Sequence, residues 1–236
     1  KDATWSPDGT RIAYISDASG EYELYVVDAA GKDAPVRLTT STNGYRHTPR
    51  WSPDSTKIAF ADHTLAFHVV DLQTKKVTLV DKAEYEPSDV AIDAKPISDY
   101  AWSPDSRFLA YSKMNADLVS QVWIHNLETG EKRCASGPIY NDFGPVFARD
   151  GEHLFFVSNR HFDPVYCDFE WQMVYKNTTG VYALTLRKDG PPLLPFESDE
   201  EPGATKKVDS GKDAVKKDAG VRVAIDFDGL ADRIEE

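Results

Sequence analysis

The side chains able to do chemistry in this chain are few, and their spacing decides how they are read. Its six histidines, His47, His63, His68, His125, His153 and His161, fall far apart, whereas a zinc site needs several ligands converging on one point. Four aspartates, Asp8, Asp54, Asp105 and Asp150, recur at matching places in a repeated motif. Each stands alone in its turn, without the run of oxygen ligands that calcium demands, and so reads as structural. Cys134 and Cys167 are the only cysteines. They show no metal-type spacing; they could pair, but two free, buried or half-buried thiols is the favoured reading. There is no Gly-x-Ser-x-Gly elbow, no His-Glu-x-x-His and no phosphate-cradling glycine loop. No catalytic, cofactor-binding or metal-binding residue is assigned.

One cluster stands out for binding instead. His161, Phe162, Tyr166, Phe169, Trp171 and Tyr175, with Met173 among them, interleave with Asp163, Asp168 and Glu170. Aromatic and methionine enrichment on an inserted element suits a contact surface. Three occupants are open: the element's own blade, another domain or subunit, or a peptide. Asp163 followed by Pro164 predicts a short helix here, with the aspartate as N-cap and the proline at the first helical position. Asn177-Thr178-Thr179 matches a glycosylation acceptor, but the triplet is too common to weigh.

The elements that must carry these residues come from a repeat. Trp51-Ser-Pro-Asp-Ser-Thr-Lys-Ile-Ala-Phe60 has near copies beginning at Trp5 and Trp102 and a worn copy, Phe147-Ala-Arg-Asp-Gly, at Phe147. The starts are 46, 51 and 45 residues apart, within the range of propeller blades. Pro7, Pro53 and Pro104 preset a turn, the following Asp accepts local backbone hydrogen bonds, and Gly or Ser completes the reversal. The strand after each turn is apolar on both faces, as a sheet packed between two neighbours requires. Ile12, Ile58, Leu109 and Leu154 align, as do Ala13, Ala59, Ala110 and the larger Phe155.

The expected fold is therefore all-β: a β-propeller with four recognisable blades plus part of another, a portion of a seven-bladed ring. Blades are placed at 1–46, 47–97, 98–142 and 143–195. Residues 197–220, rich in Lys, Asp, Glu, Gly and Ser, read as a mobile charged loop, and 221–236 as a strand of the next blade. The connection across 82–98 is lengthened. A net charge of −12 repels nucleic-acid backbones and anionic membranes alike, and no apolar run reaches the length of a membrane span.

Beyond generic propeller features, Leu154-Phe-Phe-Val-Ser-Asn-Arg-His-Phe-Asp-Pro164, Val181-Tyr-Ala-Leu-Thr-Leu-Arg187 and Val223-Ala-Ile-Asp-Phe-Asp-Gly-Leu-Ala-Asp-Arg-Ile234 closely resemble the tricorn protease family, over essentially the whole chain. The resemblance implies the interior of the family's second, seven-bladed propeller, with the serine peptidase residues in C-terminal modules of the same polypeptide. It also implies oligopeptide substrates, a gate or scaffold role, a homo-oligomeric full-length protein and a cytoplasmic setting, or a periplasmic one if a leader preceded Lys1. The Trp-Ser-Pro-Asp unit alone is shared with two rivals. One is a stand-alone TolB-like propeller that binds a protein partner; the other is the propeller cap of a prolyl-oligopeptidase-type hydrolase.

Overall fold

The computed structural model describes residues 1–40, 44–84, 97, 99–161, 164–167, 172–175, 177–193 and 220–235. Four antiparallel four-stranded sheets follow one another along the chain. The first contains β1 (Thr4–Trp5), β2 (Arg11–Ser16), β3 (Glu23–Asp28) and β4 (Val36–Arg37) in that order. The second contains β5 (Arg46–Trp51), β6 (Lys57–Asp62), β7 (Ala66–Asp71) and β8 (Val77–Lys82). The third contains β9 (Tyr100–Trp102), β10 (Phe108–Met114), β11 (Ser120–Asn126) and β12 (Lys132–Cys134). In the fourth, β13 (Asp142–Phe147) and β14 (His153–Ser158) are followed by a separate hairpin, β15 (Pro164–Cys167) and β16 (Gln172–Tyr175). The sheet then resumes with β17 (Gly180–Thr185) and closes with β18 (Ile234–Glu235). The expected all-β propeller architecture stands.

Successive sheets pack flank to flank, and strand alternation sorts their residues. Ala13, Ile15, Leu24 and Val26 of the first sheet meet Trp51, Ile58, Phe60 and Val70 of the second. Ala59, Ala61, Phe67 and Val69 then meet Tyr100, Trp102, Leu109 and Tyr111 of the third. Phe108, Ala110, Val122 and Ile124 meet Phe147, Leu154, Phe156, Tyr182 and Leu184 of the fourth. Within β6, Ile58 and Phe60 thus face the preceding blade and Ala59 and Ala61 the following one, and within β10 Leu109 and Tyr111 face back while Ala110 and Phe108 face forward. Close approach of the sheets is allowed on the alanine side, and each fully buried large side chain contributes about 1.5 to 3 kcal/mol.

The repeat turn is a hydrogen-bonded knot as well as a bend. The Ser6 hydroxyl donates to Asp8 Oδ1 at 2.6 Å while accepting from Arg11 N at 2.9 Å, and Ser103 does the same with Asp105 and Phe108. Trp51 Nε1 then donates to Thr4 O of the preceding sheet at 3.1 Å, and Trp102 Nε1 to Arg50 O at 3.1 Å. This relay adds a directional contact between blades to the packing of the buried rings. Trp51 and Trp102 are buried, whereas Trp5 is 60 % exposed.

The fifth residue of each repeat, counted from its Trp or Phe, adopts a left-handed backbone, with φ of 70° at Gly9, 59° at Ser55, 61° at Ser106 and 75° at Gly151. Glycine is the unstrained choice there. The two serines are tolerated because each hydroxyl accepts a hydrogen bond from the preceding blade's turn, Asp8 N to Ser55 Oγ at 3.2 Å and Asp54 N to Ser106 Oγ at 3.1 Å.

Two expectations are corrected. The element after Asp163 is an antiparallel hairpin, with Pro164 opposite Tyr175 and Cys167 opposite Gln172. Alternating Val165, Tyr166, Val174 and Tyr175 are β-branched or aromatic, and that strand preference outweighs the Asp-Pro start signal. Over 221–236, expected as a strand of the next blade, the described residues 221–235 do not open one either. They return to the fourth sheet, where β18 pairs with β17, Leu184 opposite Ile234, because Val223, Leu230 and Ile234 pack into the core between the third and fourth sheets. Most of the lengthened connection after Lys82 and the charged tract to Ala219 lie outside the described residues.

Candidate functional site

In a meander sheet alternate turns fall at opposite ends, so the Trp-Ser-Pro-Asp turns share one rim and the β2–β3, β6–β7 and β10–β11 turns share the other. The inserted hairpin joins β14 to β17 and therefore rises from this second rim. Its root is tied down. Arg160 donates from Nη2 to both carboxylate oxygens of the fully buried Asp142 at 3.0 Å, and its guanidinium lies 4.9 Å from the Tyr182 ring centroid and 5.2 Å from that of Tyr140. Across the root, Thr179 Oγ1 donates to Asn159 Oδ1 at 2.8 Å.

Of the expected contact residues, His161 is exposed at the foot of the hairpin. Tyr166 lies on β15 and Tyr175 on β16. Phe162, Phe169 and Trp171 lie outside the described residues. Sequence reasoning missed the apolar side chains beside that root: Leu118 is 62 % exposed and Ile139 73 %, with Tyr140 between Ile139 and the root. The β10–β11 turn is fastened to this loop, Ser120 N donating to Asn141 Oδ1 at 2.9 Å. Single apolar residues in polar loops carry no periodic signal, so only folding shows that they are neighbours.

The same rim is stitched by buried carboxylates. Asp81 on β8 accepts from Tyr111 Oη at 2.8 Å, Lys113 Nζ at 2.8 Å and Lys132 Nζ at 2.6 Å, all on the third sheet. Burial pushes its carboxyl upward, but the hydrogen bonds from Lys113, Lys132 and Tyr111 outweigh it and leave the group below the usual carboxylate range. Burial, reinforced by the Asp81 charge, pushes the Tyr111 phenol far up, so it stays protonated as a donor.

Glu23 pairs with Arg46 of the next sheet at 3.3 Å, both buried. Asp62 accepts from His68 Nε2 at 2.8 Å beside a cavity of about 160 Å³ lined by Thr39, Thr40, Arg46, Phe60 and Val77. Burial opposes ionisation of Asp62, and the hydrogen bonds from His68 and Thr64 reverse the balance, holding it well below the ordinary range. Cys134, half-buried, has its thiol pushed up by burial, which disfavours the reactive thiolate. Among the described residues no three His, Cys, Asp or Glu side chains group as metal ligands, and no helix is long and apolar enough to cross a membrane.

What this arrangement offers is a wall of β-propeller blades with one decorated rim. The class the fold defines is that of a β-propeller domain. Over residues 1–236 the sequence matches the family described as "Tricorn protease second beta propeller domain", and the chain belongs to the tricorn protease family. It is 27 % identical over 235 residues to tricorn protease homolog 1 of Streptomyces coelicolor, covering 98 % of this chain and 21 % of that protein. A solved structure, "Crystal structure of the tricorn protease", superposes with a TM-score of 0.71 at 18 % identity, covering 96 % of this chain and 20 % of that one. A putative TolB from Agrobacterium tumefaciens gives 0.50 at 19 % identity, covering 78 % of this chain and 60 % of that one. The chain thus spans about a fifth of the length of the tricorn relatives it matches.

Proposed function

We propose that this chain is a non-catalytic propeller segment of a tricorn-like serine peptidase, which gates the passage of oligopeptides to or from a proteolytic chamber and supports assembly of the full-length protein. The match to the second propeller domain along the entire chain carries this reading. The geometry supports it in two ways. First strands stand next to one another at the inner edge, with the exposed Arg50 on β5 held by its bond to Tyr100 O at 2.7 Å. Beside the root of the hairpin, the exposed Leu118 and Ile139 offer apolar surface suited to a neighbouring module.

The test is made in the full-length peptidase. Arg50→Glu reverses the charge of a side chain at the inner edge, and the expected result is a changed ratio of kcat/KM between long peptides and short chromogenic ones. An unchanged ratio, with the variant folded by circular dichroism, removes gating from the reading. Replacing 161–178 by a short glycine turn tests assembly, with loss of the oligomer on sedimentation as the expected result and an intact oligomer as the contrary one.

A further inference from the structure

The departure of the fourth repeat from its sisters has a partner elsewhere in the chain. Where the other internal copies carry Trp, Ser and, in fifth place, a second Ser, the fourth carries Phe147, Ala148 and Gly151. It therefore has neither the indole nor the hydroxyl that join the earlier blades. The missing contacts to the third sheet are supplied by residues 221–227, which run extended across the junction on the turn rim without a strand ladder of their own.

Val223 N donates to Asp105 Oδ2 at 2.8 Å and Val223 O accepts from Arg107 Nη1 at 3.3 Å. One acidic and one basic side chain thus read the N–H and C=O of a single extended residue, and its side chain is 1 % exposed in the core beneath. A Cβ on Gly151 would come 2.8 Å from Val221 Cγ1 and 3.0 Å from Val223 Cγ2. The glycine leaves room for the strap.

The remaining anchors all fall on the same short segment. Asp226 N donates to Leu186 O at 3.0 Å, and Lys188 N donates to Asp226 Oδ2 at 2.9 Å. Arg233 donates to Thr185 O at 2.9 Å and Leu186 O at 3.3 Å. Leu230 is 2 % exposed, Ile225, Phe227 and Ile234 pack on the same core, and β18 extends β17. Among the described residues, every contact that holds this segment, 220–235, against the blades is noncovalent.

We infer that the junction of the third and fourth blades is a peptide-docking groove, that its occupant is the chain's own 220–235 segment, and that this segment docks without help from the tract that tethers it. The groove selects an extended backbone with a β-branched residue at the Val223 position. It is strand addition to β17 at one end, a general mode of peptide recognition, combined with side-chain reading of the backbone at the other.

The experiment cuts the tether without shortening it. A site for a specific protease is inserted between Ser210 and Gly211, the 236-residue chain is cut to completion, and the fragments are passed over a sizing column under native conditions. The expected result is co-elution, with a fluorescent 220–236 peptide exchanging into the cut chain and competing with its own fragment. Val223→Asp and Arg233→Ala, each introduced into the labelled peptide, are expected to weaken that exchange about tenfold or more, as loss of charge-assisted or buried contacts does. Because the substitutions sit in the peptide alone, folding of the four blades is not at stake. Separation of the unmodified fragments while the blades stay folded, or equal binding of all three peptides, overturns the inference.

Discussion

Single side chains in this protein act mainly across blade boundaries, and their effects follow from what they touch. Trp102→Phe keeps the buried ring and removes the bond to Arg50 O; the expected loss is about 1 kcal/mol, read by urea denaturation. Trp5→Phe, at an exposed site, is expected to stay within about 0.5 kcal/mol of the parent. Asp81→Ala leaves the Lys113 and Lys132 ammonium groups without their shared carboxylate, and about 3 kcal/mol of destabilisation is expected at neutral pH. The pH dependence has a definite sign. The folded chain holds this carboxyl below its unfolded value, about 4, so its contribution is present above that pH and is lost as pH falls through the lower, folded value. Parent and Asp81→Ala stabilities should therefore converge in acid, and a gap independent of pH in denaturation curves would contradict the role given to this carboxylate.

At the scale of elements, the repeat explains two of the three junctions by one rule and the third by another. Gly151→Ser restores the consensus residue yet places its Cβ against Val221 and Val223 at a φ of 75°. About 1 to 3 kcal/mol of destabilisation is expected from overpacking, and a melting temperature equal to the parent's would contradict the strap's position. The strands after the repeat turns were legible in the residues and are found at 11–16, 57–62, 108–114 and 153–158. First strands were less legible, because β1 and β9 are two and three residues long and end on the tryptophan that reads as a turn residue. The hairpin was misread because the Asp-Pro start signal was weighed above the β-branched and aromatic residues of 164–167 and 172–175, which favour strands. Pairing of β18 with β17, whose partner residues lie fifty or more positions earlier, has no local signal at all.

For the whole molecule, the proposed division of labour leaves bond cleavage to other modules of a longer protein. The isolated chain is expected to hydrolyse no fluorogenic peptide, and turnover abolished by a serine-directed inhibitor in a purified sample would refute that. What the residues alone determined is the repeat and hence the architecture, since a period of some 46 residues with apolar strands on both faces has one economical solution: sheets stacked flank on flank. The resemblance in 154–234 placed the chain in its family for the same reason, being written in contiguous residues. Tertiary structure alone decided which polar groups meet. The Asp81 cluster, the Glu23–Arg46 and Asp142–Arg160 pairs, the apolar rim beside the hairpin and the strap over Gly151 join residues from separate strands or separate blades. A contact of that kind depends on the relative placement of two sheets or strands, which burial and packing set, and no stretch of neighbouring residues encodes it.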